Sequence, residues 1–254
     1  MSDLEPYFNS AEECAAYETF CTEQERGLEK FTLAEPALVC RWRMARKRVP
    51  LLNRHIRALS QRVVNGAPLT SNMLSWAKQH VEWSLAEGAY ADANGVLMLV
   101  IDVNGDALMS VGPYEALPDA APEALAARAE LARAEAATSG VAPELLAAFD
   151  ARGRLVLGAA AGEALCGSAT LVEQLVQTRG CDVVYARAGG ESPAAEGAQA
   201  AIAAEAGPGA ALFLISDEHG IVPAACADAP APDGGREPEA MVAWLAESVG
   251  KLFR

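Results

Sequence analysis

Two apolar runs, VLMLVI and ALMSV, flank Asn104-Gly105, the strongest short hairpin signal in the chain. Upstream, PALVCRWRM at 36 to 44 alternates small or apolar with basic residues and predicts a strand, followed by a turn at 45 to 48. A second short strand is expected near Val49 to Leu52, then a helix capped by Asn53 that runs to about Val64 and ends at Asn65-Gly66. Ser10 with Glu13 reads as a capping box that opens a helix through about Lys30. Thr70 or Ser71 caps another, with Met73, Leu74, Ala77, Val81 and Leu85 on one face and Gly88 at its end.

The second half repeats the alternation of strands and helices. GPYEALPDAAP at 112 to 122 carries three prolines and reads as a linker, and Pro122 opens an alanine-rich helix that ends at Gly140. Short strands flank Arg152-Gly153, and a helix is expected from about Thr170 to Arg179. CDVVYARA follows as a strand, then a second alanine-rich helix at about 194 to 206. ALFLIS and IVPAACA pair around Glu218-His219-Gly220, and a helix with Met241, Leu245, Val249 and Leu252 closes the chain. The pattern predicts an α/β protein, α+β in detail, with an N-terminal lobe at 1–112 and a C-terminal lobe at 113–254.

Composition narrows the function classes. With 254 residues and 52% hydrophobic residues the chain can bury a core. It shows no apolar stretch of bilayer length and no basic, apolar leader, so a cytoplasmic protein with no membrane association is expected. Cysteines at 14, 21, 40, 166, 181 and 226 have no C-x-x-C spacing, and His55, His80 and His219 stand apart from any cluster with ligand spacing, so no metal site is expected. Asp102, Asn104 and Asp106 imitate the start of a calcium loop, but Ala107 stands where that loop needs glycine. The net charge is −14, yet residues 41 to 62 hold eight Lys/Arg and no Asp or Glu. Their interleaving with Trp42, Met44, Val49, Leu51, Leu52, Ile56 and Leu59, and the acidic remainder, argue against nucleic-acid binding.

The order of these segments resembles the class IV aminotransferases: D-amino-acid transaminases, branched-chain aminotransferases and aminodeoxychorismate lyases. Arg26-Gly27 followed by PALVCRWRM, LLNRHIRAL, VLMLVIDVNG, LARAEAATSGVAPELLAAFDARGRLVLG and ALFLISDEHGIVPA each resemble family segments in family order. The resemblance implies a two-lobed fold, a homodimer and a pyridoxal 5′-phosphate (PLP) cofactor held as a Schiff base on a lysine.

At the cofactor contacts the chain departs from that pattern. The lysine implied near Asp119 to Glu123 is missing; the lysines are Lys30, Lys47, Lys78 and Lys251. Ala58 stands where the family's phosphate arginine is implied, and Arg57 beside it points about 100° away on a helix. Leu157 falls at the pyridine-binding glutamate, Ala159 to Ala161 at the phosphate-facing turn, and Gly167-Ser168-Ala169 at the phosphate-binding helix start. The expectation is a non-catalytic relative that does not bind PLP and serves as a small-anion binding or regulatory protein, with no catalytic residues. Its candidate ligand residues are Arg41, Arg43 and Arg57. The alternative is a PLP-dependent aminotransferase or lyase with a rearranged site, for which Lys78 is the available amine.

Overall fold

The computed structural model describes residues 10–28, 32–88, 92–187, 197–225 and 237–254. The Ser10 hydroxyl accepts the Glu13 amide at 3.1 Å and opens α1 (Ala11–Leu28). Lys30, residues 194–196 and Cys226, which enter the sequence expectations, lie outside the described residues. β1 (Pro36–Arg43) follows and obeys its alternation: Leu38, Cys40 and Trp42 are buried, Val39 and Arg41 exposed.

Between residues 45 and 66 the structure differs from the sequence expectation. Ala45 and Arg48 bridge across Arg46-Lys47, both at positive φ (51° and 59°), and no strand forms at 49–52. Pro50 has no amide to give a ladder, so the chain passes directly into α2 (Leu52–Leu59), whose preceding residue is Leu51 rather than the expected Asn53. The helix stops short of Val64 because Asn65-Gly66 (φ 50° and 75°) is the turn of a small hairpin, β2 (Val63–Val64) with β3 (Ala67–Pro68). Two adjacent β-branched valines before an Asn-Gly turn favour that hairpin over another helical turn.

Thr70 accepts the Met73 amide at 3.2 Å and caps α3 (Ser71–Glu87), which buries Met73, Ala77, Val81 and Leu85. β4 (Val96–Asp102) and β5 (Ala107–Gly112) form the expected hairpin and complete a three-stranded antiparallel sheet in the order β1-β4-β5. Asp102 accepts the Asn104 and Asp106 amides at 2.8 and 2.9 Å and the Ala34 amide at 2.9 Å, so its carboxylate organises the turn. Leu38, Cys40, Trp42, Leu97, Leu99 and Ile101 meet Leu59, Met73, Ala77 and Val81 in the first core.

The second lobe begins after the proline-rich stretch with α4 (Pro122–Ser139), β6 (Glu144–Phe149), β7 (Leu155–Ala160) and α5 (Gly167–Thr178). α5 starts three residues before the expected Thr170. β8 (Val183–Arg187), α6 (Ala198–Ala206), β9 (Ala211–Ser216), β10 (Gly220–Pro223) and α7 (Glu237–Gly250) follow. The strands form a sheet in the order β10-β9-β6-β7-β8, antiparallel except for β7 with β8. The central strand β6 is buried along its whole length. Its Leu146 and Ala148 meet Leu125, Ala126 and Ala129 of α4 and Ile202 and Ala206 of α6. Leu145, Ala147 and Phe149 point the other way, into a core with Val172 and Val176 of α5 and Leu245 and Val249 of α7. The alanine-rich helices thus supply small side chains that let them lie close on the sheet. Among the described residues no helix is long and apolar enough to cross a membrane.

This packing separates two leucines of similar sequence context. Leu146→Ala is expected to cost about 2–5 kcal/mol in a urea unfolding titration, by cavity formation. Leu131→Ala, at a 73% exposed position of α4, should stay within about 0.5 kcal/mol. Equal losses at the two positions would contradict the packing described.

Candidate functional site

The lobes meet along β1 and α2 on one side and α4, the start of α5 and the β9–β10 turn on the other. The junction is electrostatic. The basic segment of the first lobe finds acceptors on the second: Arg41 grips Glu218 through Nε and Nη2 at 2.5 and 2.7 Å. Arg62, nearly fully buried, donates to Glu135 at 3.0 Å and to the Val141 carbonyl at 2.7 Å. Arg54 reaches Thr170 at 3.1 Å and Gln174. The Arg43 amide donates to the Asp217 carbonyl at 3.1 Å.

Two glycines allow this closeness. A Cβ on Gly167 would lie 2.5 Å from His55 Nδ1, and one on Gly140 would lie 2.9 Å from the Gln61 carbonyl oxygen. Gly140 also ends α4 at φ 90°, a conformation glycine adopts without penalty.

Asp217 occupies the centre of the junction. Its Oδ1 accepts the Ser168 amide, in the first turn of α5, at 2.7 Å. Its Oδ2 lies 3.2 Å from His55 Nδ1, and the His55 ring stacks on Trp42 at 5.1 Å. Burial by itself would push the Asp217 carboxyl up, but the His55 imidazole and the Ser168 hydrogen bond hold it below the ordinary carboxylate range. Glu218 is likewise held low against its burial, chiefly by the bond from Arg41. One residue on, burial lowers the His219 pKa and favours the neutral ring, which lies against Tyr114.

Beside Asp217 lies a cavity of about 320 Å³. Three arginines line it, Arg41, Arg62 and Arg128, and four carboxylates, Glu135, Glu144, Asp217 and Glu218. Arg128 grips Glu144 through Nε and Nη2 at 2.9 and 2.7 Å, and the Ser216 hydroxyl donates to Glu144 at 2.9 Å. Each arginine of the cavity therefore has a carboxylate partner. Cys40 and Cys166 also line it; burial pushes the Cys40 thiol up to about 11 and Cys166 well above the usual value, so neither is disposed to be a thiolate nucleophile. Among the described residues no group of three or more His, Cys, Asp or Glu side chains has metal-ligand geometry.

No family model matches this sequence, and no curated protein matches it. Among solved structures it is similar to a hypothetical aminotransferase from Mycobacterium tuberculosis. The PLP-bound form superposes with a TM-score of 0.48 at 12% identity, covering 84% of this chain and 89% of that one. The apo form gives the same TM-score and coverage at 14% identity. Likeness at this level leaves the chemistry of the cavity to its own residues.

Of the three arginines expected from sequence to bind a ligand, only Arg41 lines this cavity. Arg43 turns to the interlobe stretch instead, its guanidinium carbon 3.0 Å from the centre of the Tyr114 ring. Arg57 lies on the exposed face of α2 and donates to the Asn53 carbonyl at 3.2 Å. Its neighbour Ala58 faces the cavity, while Leu157 is buried in the core of the second lobe. Lys78 sits on α3, and among the described residues no lysine lines the cavity. Arg62 and His55 lay inside the basic segment, and Asp217 and Glu218 in an ordinary hairpin turn. Only their partners across the junction give them a role.

The junction makes stability depend on pH. For Asp217 and Glu218, with folded pKa values depressed, the contribution is present above about pH 4 and is lost as pH falls through the folded values. His219, also depressed, makes the unfolded chain the stronger proton binder below about pH 6.5, so stability begins to fall there. Urea unfolding from pH 7.5 to 3.5 should therefore show a decline in two stages. The Asp217→Asn, Glu218→Gln double variant should have lower stability at pH 7.5 and a flatter low-pH limb. A double variant with the wild-type pH profile would refute the assignment.

Proposed function

We propose that this chain is a non-catalytic relative of the class IV aminotransferases that does not hold PLP and keeps the interlobe cavity for a small anionic ligand. The observation that carries the reading is the place of Asp217. In the family resembled, the start of this helix receives the cofactor's phosphate; here the chain's own carboxylate accepts the Ser168 amide. A phosphate dianion would have to displace that carboxylate and stand near Glu135, Glu144 and Glu218, which Coulomb repulsion disfavours.

The remaining residues point the same way. No lysine among the described residues faces the cavity to form a Schiff base, Ala58 offers no charge, and Leu157 offers no acid to a pyridine nitrogen. The residues present do not fit the cofactor, and no reaction step is assigned to them. The reading includes a homodimer in the cytoplasm. Among the described residues the edge strand β5 is paired on one side only, and Leu108 exposed on it and Trp83 exposed on α3 support a partner surface.

Incubation with excess PLP, borohydride reduction and peptide mass spectrometry test this. The expected result is a colourless protein with only scattered, substoichiometric label on exposed lysines. One lysine labelled stoichiometrically, with the absorbance of a Schiff base before reduction, would overturn the reading.

A further inference from the structure

We infer that the mouth of the interlobe cavity is a receptor for a small monocarboxylate with an apolar body, gripped jointly by Arg41 and Arg128; this deepens the small-anion reading above and rests on it. Both guanidinium groups line the cavity, and both are set from beneath by a buried acid. The Arg41 side chain is 49% exposed against 11% for Glu218, and Arg128 is 38% exposed against 11% for Glu144. A ligand arriving from solvent thus meets guanidinium before carboxylate. Each arginine spends Nε and Nη2 on its acid, two of five N–H donors, and the others can receive a further carboxylate.

The two pairs are also fixed to each other. Ser216 donates to Glu144 at 2.9 Å and accepts the Glu218 amide at 3.2 Å, so one hydroxyl joins the acid under Arg128 to the residue under Arg41. Such a scaffold holds both guanidinium groups in place before a ligand arrives, which lowers the entropy cost of binding.

The apolar part of the ligand follows from the surrounding wall. Val39 and Leu131, two of the large apolar side chains exposed on the protein at 39% and 73%, both line this cavity. Leu59, Val141 and Pro143 continue the apolar lining. About 320 Å³ lies at the small end of ligand sites, which suits a single short chain or ring. A more highly charged anion would meet Glu135 and Asp217 further along the lining, and an amine would meet two arginines at the entrance.

Isothermal titration of the full chain with hexanoate, acetate, inorganic phosphate and hexylamine tests the inference. Hexanoate is expected to bind saturably at one site, with acetate and phosphate about tenfold weaker or more and hexylamine showing no saturable binding. Arg41→Ala and Arg128→Ala should each weaken hexanoate about tenfold or more, by loss of charge-assisted hydrogen bonds. Leu131→Asp, at an exposed position that folding does not need, should weaken it comparably with an unchanged melting temperature. Arg152→Ala, on the distant β6–β7 turn, should bind as wild type. Absence of saturable hexanoate binding, phosphate or hexylamine binding as tightly as hexanoate, or full affinity in Leu131→Asp would overturn the inference. A stoichiometric PLP–lysine adduct would instead strike the non-catalytic reading, whatever the carboxylate titration gives.

Discussion

The docking of the basic β1–α2 segment on the carboxylates of the second lobe is the contact on which the cavity depends. Arg41, His55 and Arg62 stand on three successive parts of the first lobe, and each meets an acid of the second: Glu218 and Asp217 of the β9–β10 turn and Glu135 of α4. Arg62 is the most demanding of these. A buried guanidinium left without its acceptors is destabilising by about 3–5 kcal/mol, so the Glu135 carboxylate and the Val141 carbonyl fix how α2 sits on the end of α4. Gly140 and Gly167 then permit backbone contact that side chains would prevent.

That same docking decides what the cavity can do. Its arginines are each anchored on a carboxylate, its thiols are kept protonated by burial, and the amide end of α5 is covered by Asp217. What the arrangement does provide is rigidity. Side chains held from beneath by buried acids form an entrance of fixed shape, with apolar groups beside the exposed donors.

Much of the architecture was legible in the sequence because local rules and burial agree. The Asn104-Gly105 hairpin, the Pro122 and Gly140 boundaries of α4 and the Thr70 cap all lie where their chemistry puts them. The failures lie between 45 and 66, where Pro50 and an Asn-Gly turn acted on segments too short for periodicity to assign. The site was legible in part. Alternation placed Arg41 and Arg43 on one face of β1, but a face does not reveal a partner: one side chain met Glu218 and the other the ring of Tyr114. Arg128, Glu144 and Asp217 had no sequence signal, because their roles arise from contacts with residues far away along the chain.

Asp217 accepts the Ser168 amide at the start of α5 and stands against His55, and the proposed absence of PLP rests on that arrangement. A crystal structure of the protein grown near neutral pH in millimolar PLP tests it most directly. The account predicts Asp217 Oδ1 within hydrogen-bonding distance of the Ser168 amide, His55 beside the same carboxylate, and no cofactor density in the cavity. A phosphate group on the Ser168 amide, with Asp217 turned away, would contradict it.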